Sequence, residues 1–431
     1  MKKDTFKQLI LDFQEKSLSH VIPRDIDIPF NLNKTISLIG VRRSGKTFIF
    51  FSLVDTLRKN GIDTRNIIYI NFEDDRLFPP EPGDLNLLLE TYYELFPLKK
   101  KETIYLFLDE IQNIPHWEVF ARRVQDSENC RIFISGSSAK LLSKEISTAL
   151  RGRTITYEVF PLSFKEFLKF KQIDMTHNSS FEHAKLKNAF NEYISRGGFP
   201  EVIEYNDDIY FRVLQEYLDL IMYKDVIERF KISNTHLLKH LMKFCFINIS
   251  KSISPNKLYN DFRSMGLKLS KNTIYDYIGY LEDSYGAFTV PISGNSVKEE
   301  MRNPKKIYSV DIGFKKIMDS AFKKDIGYIY ENIVFLELRR NIKNIFYFKK
   351  NNEVDFYFEK GGQRYLVNVC YDISSPLTRK REIAGLLEAM DYFSTDFGLI
   401  ITAEVEEEIK ENTKTIRLIP LWKWLLYGGE A

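Results

Sequence analysis

The sequence predicts an α/β fold whose first part is a parallel sheet covered by helices, and two observations predict it. Of four short runs, Thr35–Ile39, Ile67–Asn71, Ile104–Leu108 and Arg131–Ile134, the last three are apolar at nearly every position instead of at alternate ones, as strands buried on both faces are. After the first run a turn beginning at Gly40 leads into a helical pattern from Lys46 to about Leu57, which Gly61 stops, so the order is strand, loop, helix.

At 431 residues the chain exceeds what one hydrophobic core usually organises, which predicts roughly two to four domains. Hydrophobic residues at 44% and charged residues at 28% sit near globular averages, so the chain is expected to fold throughout. A net charge of +3 supplies no global field toward nucleic acid or anionic lipid, and such binding would need a local patch. Cys130, Cys245 and Cys370 are far apart, odd in number and without a C-x-x-C pair, so neither a zinc ribbon nor a disulfide framework is implied, which fits a cytoplasmic protein. Asp4 and Lys7 interrupt the apolar core a signal peptide would need, and no apolar run approaches membrane-spanning length, so no membrane partner is expected.

Four segments follow along the chain. Residues 1–160 hold the parallel sheet. Residues 161–235 read as a helical lid, opened by Pro161 and broken at Gly197-Gly198-Phe199-Pro200. Residues 236–314 pair three short helices, the last at Asn272–Leu281, with strands at Ala287–Ile292 and Lys306–Val310, the order of a winged helix-turn-helix. Residues 315–431 read as a further α/β domain. It has a long helix after Gly327, strands around Phe346, Val354–Phe358 and Tyr365–Val369, a helix from Lys380 and a strand at Gly398–Ile401.

Gly40-Val41-Arg42-Arg43-Ser44-Gly45-Lys46-Thr47 fits the phosphate-binding pattern G-x-x-x-x-G-K-[ST] in the required place between a strand and a helix. The candidate nucleotide contacts are Gly40, Arg43, Ser44, Gly45, Lys46, Thr47 and Phe48. Backbone N–H groups would wrap the phosphates, Lys46 would pair with the β- and γ-phosphates, and Thr47 would ligate Mg²⁺. Asp109-Glu110 closes the run Ile104–Leu108. Asp109 would hold the Mg²⁺ shell and Glu110 would orient the attacking water, the division that phosphoryl transfer from ATP requires. Ser137, after the fourth strand, is the expected γ-phosphate sensor, with Ser138 beside it. Arg153 is the expected charge-stabilising arginine, acting in cis or from a neighbouring subunit, which would make the protein a homo-oligomer.

GVRRSGKT, FLDEIQNIPHWE, ISGSSAKLL, LRGRT with PLSFKEFL, and GGFPEV together resemble the prokaryotic AAA-type ATPases whose C-terminal half is a domain of unknown function. The resemblance covers nearly the whole chain. It implies a P-loop AAA+ ATPase core with a lid, a winged helix and a C-terminal domain similar to PD-(D/E)XK nucleases. Lys268, Lys271 and Asn272 at the presumed recognition helix, and Lys298, Arg302, Lys305 and Lys306 around the presumed wing, are the expected DNA phosphate contacts, diluted by Glu299 and Glu300. The alternatives to a nucleotide-driven switch or motor on DNA are a nucleotide-gated scaffold that holds a protein partner with the same domains, and an ATP-regulated nuclease. In the last domain Glu331, Glu353 and Asp355 resemble the acidic start of the nuclease core, but Asn368 and Cys370 stand where Glu and Lys are expected. Neither replaces the charge lost, which predicts a dead or weakened nuclease, with Lys380 the one lysine placed to migrate in.

Overall fold

The computed structural model describes residues 2–18, 20–136, 150–175, 179–294, 296, 299–300, 303–319 and 322–428. The chain forms two compact units, Met1–Val159 and Phe160–Ala431.

The first unit is built on five strands: β1 (Thr35–Ile39), β2 (Ile67–Asn71), β3 (Ile104–Asp109), β4 (Cys130–Ser135) and β5 (Thr154–Glu158). They lie in the order β2-β3-β4-β1-β5 and every neighbouring pair is parallel. The four runs read from the sequence are β1 to β4. The helix Lys46–Lys59 lays Phe50, Val54 and Leu57 onto Ile36, Leu38, Phe107 and Phe133, and each such side chain contributes about 1.5–3 kcal/mol by leaving water. The N-terminal helix Lys2–Glu15 adds Phe13, whose ring stacks on Tyr69 at 4.5 Å.

The second unit begins with the helices Phe164–Phe170 and Ser180–Arg196, each opened by a capping box, from Ser163 to Glu166 and from Ser179 to Glu182. The helix Asp207–Leu220 runs on into a π-helical segment, Ile221–Ile227. Helix Thr235–Ile247, β6 (Ser252–Ile253), helices Pro255–Ser264 and Lys271–Asp283, and the hairpin β7 (Ala287–Val290) and β8 (Lys305–Ser309) follow, with antiparallel strand order β6-β8-β7. The helix Lys271–Asp283 buries Ile274, Tyr277, Ile278 and Leu281 and leaves Lys271, Asn272, Tyr275 and Asp276 exposed.

After the helix Ile326–Asn341 comes a six-stranded mixed sheet ordered β13-β14-β12-β11-β10-β9. Its strands are β9 (Ile345–Lys349), β10 (Glu353–Lys360), β11 (Gln363–Val369), β12 (Phe397–Thr402), β13 (Glu407–Glu411) and β14 (Lys414–Pro420). The helix Pro376–Phe393 packs Leu386, Met390 and Phe393 against it, and starts four residues before the expected Lys380 because Pro376 supplies a pre-set first turn. Among the described residues no helix is long and apolar enough to cross a membrane.

The Gly197-Gly198 break has a structural task. Gly197 has φ +80°, and a Cβ there would stand 1.9 Å from Asp311 Oδ1. Asp311 is buried at the N-terminus of the helix Ile312–Met318 and accepts from the backbone N–H of Gly198 and of Gly313, both at 2.7 Å. Burial pushes the Asp311 carboxyl up to about 7, against those two hydrogen bonds. Gly197→Ala is therefore expected to lower unfolding stability by at least about 2 kcal/mol in urea titration, combining a strained backbone with a displaced buried carboxylate. Gly279→Ala is the control. It lies in the helix Lys271–Asp283 with open space at its Cβ, and is expected to be neutral or stabilising by up to about 1 kcal/mol.

Candidate functional site

β1 is buried along its whole length and ends at Gly40, where the chain cannot carry a side chain: a Cβ would meet Val159 O at 2.1 Å. Arg43 and Gly45 turn with positive φ, 63° and 93°, and Gly45 caps the helix Lys46–Lys59 without a side-chain hydrogen bond. The first-turn N–H groups of that helix thus face the loop with no capping side chain, the arrangement that receives an anion. Ser44 Oγ closes the loop on Val41 O at 2.8 Å, and Arg24 Nη1 holds Ser44 O at 2.6 Å. Lys46 is buried, and its Nζ donates to Gly40 O and Val41 O, each at 3.0 Å. Phe48 is 60% exposed, with its ring edge on Phe51.

Asp109 ends β3 with no exposed surface, two strand positions from the loop because β4 lies between β3 and β1. Its Oδ2 accepts from Thr47 Oγ1 at 2.7 Å and from Tyr69 Oη at 2.9 Å, and its Oδ1 accepts from Ser135 Oγ. Burial pushes the Asp109 carboxyl up, opposed by the hydrogen bonds from Ser135 and Thr47. Glu110 stands in the left-handed region at φ 53°, which turns its side chain out of the strand. Its backbone N–H reaches Ser135 Oγ at 3.3 Å and its carboxylate accepts from Gln112 Nε2. Glu73, beyond β2, is pushed up by burial and then by the Glu110 charge, with Arg42 at 3.7 Å opposing.

The structure therefore gathers Lys46, Thr47, Asp109 and Glu110 at one edge of the sheet. Thr47 and Asp109 are hard oxygen donors already in contact, a set that fits Mg²⁺. Sequence reasoning missed Tyr69 and Ser135. Ser135 is the last residue of β4, and a hydroxyl ending a buried apolar run was the available signal.

Arg153 is placed elsewhere. Its carbonyl accepts from Thr35 N at 2.9 Å and its guanidinium pairs with Asp126 at 3.2 Å. Thr35 opens β1, so Arg153 lies at the opposite edge of the sheet, about 16 Å from Gly40 by strand rise. Neither contact brings Arg153 to Lys46, Thr47, Asp109 or Glu110 of its own chain. Ser137 and Ser138 lie outside the described residues.

Among the expected DNA contacts, Lys268, Lys271 and Asn272 are exposed, and Lys298 and Arg302 lie outside the described residues. Lys305 is half-buried. Lys306 corrects its reading: it is 3% exposed, held by Glu331, Glu353 and Asp355, and touches no solvent-borne phosphate. Lys380 is exposed on its helix. Asn368 Oδ1 accepts from the Asp355 N–H at 3.1 Å and its amide donates to Glu382.

Residues 32–168 match the family model of the AAA domain, and residues 187–325 match a domain of unknown function (DUF8612). The uncharacterized protein MJ1544 of Methanocaldococcus jannaschii is 40% identical over 99% of this chain and 96% of its own length. An uncharacterized protein of Haemophilus influenzae is 30% identical over 90% of this chain and 93% of its own. Among solved structures, the Walker-type ATPase of Pyrococcus abyssi aligns with 70% of this chain and 99% of its own, at 14% identity and a TM-score of 0.42.

Proposed function

Since the chain belongs to one family with MJ1544 and its residues 32–168 form an AAA domain, we propose that it binds ATP with Mg²⁺ and hydrolyses it to ADP and phosphate. The observation that carries this is the contact of Thr47 Oγ1 with Asp109 Oδ2 at 2.7 Å, beside a buried Lys46 and with Glu110 next in the chain. Gly40 to Thr47 supply backbone N–H groups for the phosphates, with Gly45, Ser44, Arg43 and Phe48 framing them. Lys46 exchanges the carbonyls of Gly40 and Val41 for phosphate oxygens. Thr47 and Asp109 hold Mg²⁺, which when bound neutralises the charge of the phosphates. Glu110 orients the attacking water and takes its proton, while Gln112 fixes the carboxylate. Ser135 ties Asp109 to the Glu110 backbone and is a positioning residue.

We read helix Thr235–Ile247 through β8 as a winged helix, on its element order and its β6-β8-β7 sheet, and residues 326–420 as a nuclease-like core. Exposed Lys257, Arg263, Lys268 and Lys271 around the helix Lys271–Asp283 favour DNA as the partner of an ATP-driven switch. Arg153 pairs with Asp126 away from the loop of its own chain, so a catalytic role for it would require a homo-oligomer. Turnover measured with and without duplex DNA tests the coupling. A Glu110-dependent rate that DNA raises, with the increase lost between about 50 and 200 mM salt, is expected. A Glu110-dependent rate indifferent to DNA at both salts would refute DNA coupling and leave a protein partner.

A further inference from the structure

Three carboxylates from two elements converge on a single buried ammonium. Lys306 Nζ, on β8, lies 3.0 Å from Glu331 Oε1 on the helix Ile326–Asn341, and 2.8 Å from Glu353 Oε1 and 2.6 Å from Asp355 Oδ1 on β10. An ammonium has three N–H donors, and each finds one carboxylate. The other sides of the cluster are also closed: Tyr308 Oη donates to Glu331 Oε1 at 2.8 Å, Lys349 Nζ to Glu353 Oε2 at 3.0 Å, and Val369 N to Asp355 Oδ2 at 2.8 Å.

Three carboxylates thus surround one cation, and the chain itself supplies that cation. Oxygens that ligate Mg²⁺ stand about 2.0–2.1 Å from it, whereas here they stand 2.6–3.0 Å from the nitrogen at the centre, the spacing of ammonium hydrogen bonds. Lys306, with Lys349 on the outer oxygen of Glu353, offsets carboxylate charge without a metal. Burial works to strip the proton from Lys306 but the Asp355 and Glu331 charges outweigh it and hold its pKa well above the usual lysine value. Burial and then Asp355 push the Glu331 carboxyl up to about 8, opposed by the Lys306 charge and the hydrogen bond from Tyr308.

We propose that Lys306 is the built-in cation of a nuclease-like carboxylate site, occupying the divalent position so that Glu331, Glu353 and Asp355 take no metal while the lysine is present and take one when it is removed. The placement of Lys306 on β8 also fastens the small sheet to the six-stranded one. The inference rests on reading the last domain as nuclease-like, and is independent of ATP hydrolysis.

The test is Mn²⁺ binding to the full chain without nucleotide, followed by electron paramagnetic resonance of free Mn²⁺, with circular dichroism as the folding check. Wild type and Asp355→Asn are expected to take up the same amount. Lys306→Ala is expected to take up one further Mn²⁺ per chain, and Lys306→Ala with Asp355→Asn to lose it. Uptake by wild type that Asp355→Asn removes would overturn the proposal, as would a folded Lys306→Ala that binds no more than wild type. If Lys306→Ala folds only when Mn²⁺ is present, that supports it; if it does not fold at all, the comparison of wild type with Asp355→Asn decides, and metal lost in the latter overturns the assignment. Because every arm omits nucleotide, failure here leaves the ATPase reading untouched.

Discussion

Glu110→Gln is expected to cut ATP turnover by about 10²–10³-fold while leaving nucleotide affinity within a few-fold of wild type. The amide keeps the shape and its contact with Gln112, but it cannot accept the proton of the attacking water. On the proposed assignment Lys46, Thr47 and the loop N–H groups would hold the nucleotide, and the hydrogen bonds of Glu110 run to Ser135 and Gln112 instead. The separation is therefore sharp: a loss confined to kcat marks a group acting on water, whereas a matching loss of affinity would mark Glu110 as part of the binding surface. Steady-state turnover together with fluorescent-nucleotide binding reads both quantities.

Lys306→Met carries the largest expected effect on stability, a loss of about 3–5 kcal/mol, because it leaves buried carboxylates facing one another without their cation. Methionine keeps most of the alkyl packing, so the loss reports charge and not a cavity. Adding Glu331→Gln to Lys306→Met is expected to restore part of it, since the carboxyl most deeply buried is then neutral at every pH. Urea unfolding of the two single variants and the double variant supplies the cycle. Additive losses would mean that Lys306 and Glu331 do not interact, contrary to their 3.0 Å separation.

How much of this was legible in the sequence depended on how local the signal was. β2 to β4 announced themselves by runs that are mostly apolar, and β1 by its place before the loop, whose glycines and lysine have fixed spacing. β5 did not. Thr154–Glu158 is an edge strand, half-buried at all five positions, and its TITYE pattern lacks a continuous apolar run. Tyr69 and Ser135 were hidden for another reason: their meeting with Asp109 depends on β3 lying between β2 and β4, and strand order is set by contacts distant in sequence. Lys306 was misread although the hint was local. β8 is buried on both faces from Lys306 to Ser309, and the apolar pair Ile307-Tyr308 directly after the lysines was the hint. Reading Lys305 and Lys306 together as a basic wing ignored that pair. Arg153 shows the limit of motif reading, since its place at the start of the strand pair β1 and β5 follows from their register, Thr35 beside Thr154.

The central claim is that Lys46, Thr47, Asp109 and Glu110 form an ATP-hydrolysing site. The measurement that tests it most directly is Mg²⁺-dependent release of phosphate from ATP by wild type and Glu110→Gln, purified side by side and each shown to bind nucleotide. Release by wild type that chelation of Mg²⁺ stops and that Glu110→Gln loses by about two orders of magnitude or more is the result predicted. Equal release by the two proteins, or nucleotide binding with no release by wild type under any of these conditions, would contradict it.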